Sequence, residues 1–193
     1  MRIIVIFALL LAGCSNNEPS DEAVKAALNK YNDNIHTGCF ELNGSLPISL
    51  DEMKQQTIMG KELDAYTLAG LVLSTHEGNN RQYELSPEGH KYYIEVESLS
   101  VGLTIKKIKH GAMCIGKLEA DKITKVTPLP SKNEIHASYT YKIKDVARWS
   151  NDPAIQKRLP KVAALINGQQ NKVLSEILNK TSDGWKVRDM RVR

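Results

Sequence analysis

Ten consecutive residues, Ile135-His136-Ala137-Ser138-Tyr139-Thr140-Tyr141-Lys142-Ile143-Lys144, alternate between apolar or aromatic and polar side chains without a break. Successive side chains of a strand point to opposite faces. This spacing therefore puts Ile135, Ala137, Tyr139, Tyr141 and Ile143 on one face and His136, Ser138, Thr140, Lys142 and Lys144 on the other. Such a half-buried strand needs neighbours, and the second half of the chain supplies them. Residues 103–109 alternate in part, 113–117 are apolar-rich, and 121–127 run up to the Pro128-Leu129-Pro130 break. Residues 173–178 and Trp185-Lys186-Val187 flank Thr181-Ser182-Asp183-Gly184, whose Asp-Gly pair signals a hairpin. Between these strands, Asn151-Asp152-Pro153 starts a helix with Ile155, Leu159, Val162, Ala163 and Ile166 along one side. Pro160 either kinks that helix or opens a second one. Trp149 and Trp185 read as core residues.

The first half reads as helices and one hairpin. Asp21-Glu22 open a helix through Ala23, Val24, Ala27, Leu28 and Tyr31, with acids in the first turn where the dipole favours them, and Asn32-Asp33-Asn34 and Gly38 end it. Gly44-Ser45-Leu46-Pro47 is a turn, and Ser49 is placed to cap a short helix towards Gln56. Residues 61–70 form a further helix closed by Gly70. Then 71–75 and 82–85 are strands around a tip at His76–Asn80, and Ser86-Pro87 begins another helix through Tyr93, with proline at its first position.

The order helix, hairpin and Leu85-Ser86-Pro87-Glu88-Gly89-His90-Lys91-Tyr92-Tyr93 resembles the wing of winged-helix domains over residues 61–93. A DNA-reading member needs Lys and Arg on the helix before the wing, but here Lys61 stands against Glu62 and Asp64. Nucleic acid is therefore not an expected partner, and the resemblance implies a protein-interaction scaffold. The Tyr-bearing strand followed by Asp183-Gly184-Trp185-Lys186-Val187 is similar to the final strands of cystatin-like and NTF2-like folds. The expected fold class is α+β: N-terminal helices plus a β-hairpin, then an antiparallel sheet with a packed helix.

Charge divides the chain at the same place. Residues 14–100 hold 6 Lys/Arg against 14 Asp/Glu, a net of −8, and residues 101–193 hold 19 against 8, a net of +11. With 41% hydrophobic and 25% charged residues, neither a disordered tail nor a multi-span membrane protein is expected. The expected organisation is a leader at 1–13, a tether at 14–20, a helix-rich acidic part at 21–100 and a basic sheet part at 101–193.

The leader follows from Met1-Arg2 and the unbroken apolar run from Ile3 to Ala12, too short to cross a bilayer core of about 30 Å and suited to a secretory signal. It ends in Leu11-Ala12-Gly13-Cys14, which resembles the lipobox of bacterial lipoproteins. The resemblance implies that Cys14 is lipidated with diacylglycerol and a fatty acyl chain of the palmitate type, becoming the first residue of an anchored protein. More than one chain is what stable anchoring requires. Ser15 rather than Asp at the next position implies sorting to the periplasmic face of the outer membrane. The tether Ser15-Asn16-Asn17-Glu18-Pro19-Ser20 reaches at most about 20 Å, so the globule stays near its membrane.

With Cys14 acylated, Cys39 and Cys114 remain as an even pair in an oxidising compartment, and a disulfide is the economical reading. Two free buried thiols or a metal site are the alternatives. No Cys-x-x-Cys occurs, and His36 and His110 lack partner ligands at metal spacing, so no metal is expected. No phosphate loop, Gly-x-Ser-x-Gly elbow or His-Glu-x-x-His is present, and no cofactor is expected. The paired acids Asp21/Glu22 and Asp51/Glu52 are explained by helix starts. Lys106, Lys107, Lys109, Lys142 and Lys144 are the candidate electrostatic binding surface. Terminal Arg188, Arg191 and Arg193 fit binding or plain solvation equally.

The expected function is a membrane-anchored envelope lipoprotein that acts as a binding or assembly accessory for another envelope protein, not an enzyme. An inhibitor or immunity-type lipoprotein, with His76–Asn80 as the protruding element, and a hydrolase of envelope polymers are the alternatives. Cys14→Ser is expected to move the protein from the membrane fraction to the soluble periplasmic fraction. Fractionation of cells expressing each form measures this.

Overall fold

The computed structural model describes residues 18–101, 105–131 and 133–188; Cys14, Arg191 and Arg193 lie outside the described residues. The fold is mixed α+β, as the sequence patterns indicate. Helix α1 (Asp21–Asn34) starts where Ser20 Oγ accepts from the Ala23 N–H, and it buries Val24, Ala27 and Leu28. A short strand β1 (Cys39–Glu41) leads to β2 (Ile48–Leu50) and two helices, α2 (Glu52–Gln55) and α3 (Ile58–Leu68). The hairpin β3 (Val72–Glu77) and β4 (Asn80–Leu85) follows, then β5 (Tyr93–Val101), β6 (Ile105–Cys114), β7 (Lys117–Pro128) and β8 (Glu134–Lys144). Helices α4 (Pro153–Arg158) and α5 (Pro160–Asn167) precede the last hairpin, β9 (Leu174–Thr181) and β10 (Gly184–Val187). Among the described residues no helix is long and apolar enough to cross a membrane.

The strands form three antiparallel sheets, ordered β2-β4-β3, β1-β6-β5 and β10-β9-β8-β7. The last of these curls, and α1 packs against both its edge strands, β7 and β10. The pairing of β7 with β8 shifts register on either side of Ile123, a bulge that bends the strand. The ladder breaks next to Ala120, whose N–H donates instead to Asn29 Oδ1 of α1 at 2.8 Å. The bend and the docking of α1 are thus one feature.

Ile135, Ala137, Tyr139, Tyr141 and Ile143 of β8 are all buried, as their alternation requires. Thr140 departs from the pattern: it is on the polar face yet buried, at the register shift of the β7–β8 pairing and just past the last β8–β9 pair, Tyr139 with Leu174. Pro160 opens a second helix. Leu159, held out of helical geometry at ψ 77° by the proline after it, makes the corner between α4 and α5. Trp149 is buried edge-on against Tyr66, ring centroids 5.7 Å apart; Trp185 is half-buried.

Four local expectations are corrected. Asp51, not Ser49, caps α2, because Ser49 is committed to β2 opposite Gln82. Helix α3 begins at Ile58 rather than Lys61, capped by Thr57. The segment after Pro87 makes one 3-10 turn at Gly89–Lys91 instead of a helix, since pairing of Tyr93 with Met113 draws the chain into β5. The apolar run at 113–117 is split at Ile115-Gly116, where Gly116 takes a φ of 146° that favours glycine.

The β1-β6-β5 sheet straddles residue 100, taking β1 and β5 from the acidic stretch and β6 from the basic one. Cys39 and Cys114 face each other in the β1–β6 register and form a disulfide, S–S 2.05 Å. Beside it, a Cβ on Gly38 would come within 1.9 Å of the Gly116 carbonyl oxygen, so only glycine allows this approach. The bond closes a sequence separation of 75 residues. Replacing both cysteines by alanine is expected to lose about 4 kcal/mol of stability in the chain-entropy picture. Urea unfolding of the oxidised protein and the double variant measures the loss.

Candidate functional site

Ile58, Lys61, Glu62 and Tyr66 lie at helical spacing on one side of α3. The α4–α5 corner, Arg158 to Val162, faces them, and β1 contributes Cys39, Phe40 and Glu41. Together they enclose a cleft of about 430 Å³, within the range of small-molecule sites. Its apolar lining is Phe40, Ile58, Tyr66, Leu159, Pro160 and Val162; its charged groups are Lys61, Arg158, Lys161, Glu41 and Glu62.

One wall is held rigidly. From α3, Asp64 accepts a hydrogen bond from the Tyr83 hydroxyl at 3.0 Å and an ion pair from Arg81 at 2.8 Å. Arg81 also donates to Ser74 Oγ at 3.0 Å and lies over the Tyr83 ring, 5.2 Å from its centroid. Burial and the bond to Asp64 push the Tyr83 phenol up to about 12. The network ties α3 to both strands of the β3–β4 hairpin. The other wall is tied to the sheet by the Tyr141 hydroxyl, which donates to the Leu165 carbonyl of α5 at 2.8 Å.

The electrostatics inside the cleft are unbalanced. Burial pushes the Glu62 carboxyl above the usual carboxylate range, with Lys161 pulling the other way. Glu41 is engaged with His110 Nε2 at 3.0 Å. Lys61, Arg158 and Lys161 make no ion pair within 4.0 Å to a described residue.

A second cleft of about 620 Å³ is lined by residues that include Asn32, His36, Tyr92, Cys114 and Asp145, and Cys39 lines both. Among the described residues, no group of three His, Cys, Asp or Glu side chains is placed to hold a metal ion.

The lysines singled out from the sequence fall in two separate sheets. Lys106, Lys107 and Lys109 are on β6, and Lys142 and Lys144 on β8. Lys107 and Lys109 share one exposed face; Lys107 is 3.4 Å from Glu97, and Lys109 is opposite Glu97 in register. Lys106 is opposite Ser100. Lys144 pairs with Glu119 at 2.7 Å, and half-buried Lys142 is opposite the same acid. Arg188 pairs with Glu134 at 3.0 Å. The hairpin tip His76–Asn80 is exposed throughout. Sequence reasoning missed the cleft, although Lys157-Arg158-Leu159-Pro160-Lys161 carries a visible signal: three cations gathered at a proline corner.

Because the folded-state value for Glu62 is raised above the ordinary 4.5, its contribution to stability is present below that value. The contribution is lost as pH rises through the folded value. Glu62→Gln removes this titration. The variant is therefore expected to gain stability over the parent between about pH 4 and about pH 7, read from urea midpoints at the two ends. No protein-family model, no curated protein and no solved structure matches the chain.

Proposed function

We propose that the chain is an envelope lipoprotein, anchored through Cys14 at the periplasmic face of the outer membrane, whose globule is a binding module for another envelope component. The observation that carries this reading is the cleft between α3 and the α4–α5 corner, with its apolar lining and three cations that make no ion pair to a described residue. The order β2, α2, α3, β3, β4, with β2 added to β4, fits the winged-helix-like scaffold expected for residues 61–93 and presents α3 to the cleft. A large aliphatic side chain adds to it: Ile58, which lines the cleft, is 75% exposed. An isolated exposed apolar residue is ordinary, but this one borders a cavity.

One observation favours the hydrolase reading. Glu41 and Glu62 line the same cleft, and burial pushes the Glu62 carboxyl upward, the direction a general acid needs. Photo-crosslinkers at Ile58, at Asn79 on the hairpin tip and at Ser175 on the far sheet discriminate the readings in native envelopes. A discrete adduct from Ile58 alone, lost on Cys14→Ser, is the expected result. An adduct from Asn79 alone transfers the function to the hairpin, as in an inhibitor. Cleavage of purified envelope polymer that Glu62→Gln abolishes replaces the binding module with an enzyme.

A further inference from the structure

We propose that this cleft takes a small amphipathic carboxylate of the fatty-acid class, its head group met by Arg158, Lys161 and Lys61 and its chain laid over Phe40, Leu159 and Val162. The inference rests on the binding-module reading above and names its ligand. Three features support it together.

The first is charge. Three cations, Lys61, Arg158 and Lys161, line a cavity whose lining carries two carboxylates, Glu41 and Glu62, so the lining holds an excess of positive charge. Like charges gathered around an apolar lining repel one another, and an anion entering between them relieves that repulsion. The second is chemistry. Arg158 offers a planar fork that fits a carboxylate bidentately, and the two lysines add point charges on flexible stems. The third is shape. A cavity of about 430 Å³ is far larger than an inorganic anion needs. The side chains of Phe40, Leu159 and Val162 offer no hydrogen bond to the outer oxygens of such an ion, whereas they remove an alkyl chain from water. A neutral chain leaves the cations unsatisfied, and a cationic amphiphile is repelled by them.

The test uses the chain from residue 14 onward carrying Cys14→Ser, so that neither the apolar leader nor acyl chains call for detergent, and Trp185→Phe. Trp149, edge-on to the Tyr66 that lines the cleft, is then the only tryptophan. Dodecanoate, 1-dodecanol, dodecyltrimethylammonium and acetate are titrated below any micelle concentration. Trp149 emission and the methyl resonances of Ile58, Leu159 and Val162 are the readouts. Dodecanoate is expected to bind saturably and at least about tenfold more tightly than dodecanol, the scale of one or more charge-assisted hydrogen bonds.

Arg158→Gln with Lys161→Gln is expected to remove that advantage while leaving dodecanol unchanged. Both positions are exposed, and an unaltered thermal transition checks the fold. If that pair fails to fold, Lys61→Gln carries the same comparison. Equal binding of dodecanoate and dodecyltrimethylammonium, unchanged dodecanoate affinity in the charge variants, or methyl shifts confined to residues outside the cleft would overturn the proposal. Failure of dodecanoate alongside an intact Ile58 crosslink removes this ligand but leaves the binding module. Loss of both removes the module itself.

Discussion

Strand β1 has three residues, too few to hold an edge by hydrogen bonding alone, and the covalent bond from Cys39 to Cys114 pins it to β6. Much of the arrangement follows from that tie. Upstream, Gly38 is pressed against Gly116 at the start of β7, which sets where α1 lies relative to the curled sheet. Downstream, β1 leads through β2 into α2 and α3, so the same bond positions the helix that walls the cleft. Cys39 lines both clefts, and Cys114 lines the second.

The charge split has a structural meaning different from simple mutual neutralisation. Among described residues, the Glu97–Lys107 ion pair and the Glu41–His110 contact span residue 100, whereas Asp64–Arg81, Glu119–Lys144 and Glu134–Arg188 are formed within one stretch or the other. An exposed pair such as Glu97–Lys107 contributes little to stability. The two stretches meet electrostatically at the cleft instead. There α3, from the acidic part, brings Lys61 and Glu62, and the α4–α5 corner, from the basic part, brings Arg158 and Lys161.

Local patterns were legible wherever one interaction dominates. The alternation in β8, the Asp183-Gly184 turn of β9–β10 and the acid-rich start of α1 each depend on neighbours in sequence, and all three are present. Reading failed where a distant strand competes for the same residues. Ser49 is a good cap, but β4 claims it for β2; Pro87 suits a helix start, but β6 draws the following residues into β5. Thr140 is polar in a strand whose outward face was expected to be wet, yet it is buried at the β7–β8 register shift. The topology puts the lysines of β6 and β8 in different sheets, with Lys109 and Lys142 opposite acids in register and Lys107 and Lys144 ion-paired.

Sequence by itself determined the α+β class, the strand faces of β8 and the availability of one cysteine pair, because side-chain periodicity and residue chemistry are properties of the chain before it folds. Tertiary structure alone decided that Cys39 and Cys114 face each other across β1 and β6. It also decided that Asn29 of α1 satisfies the amide freed at the β7 bulge, and that Lys61 and Lys161, a hundred residues apart, share one cleft. No local rule relates positions so far apart. Only burial of the apolar faces of α3 and the α4–α5 corner brings their charged edges together.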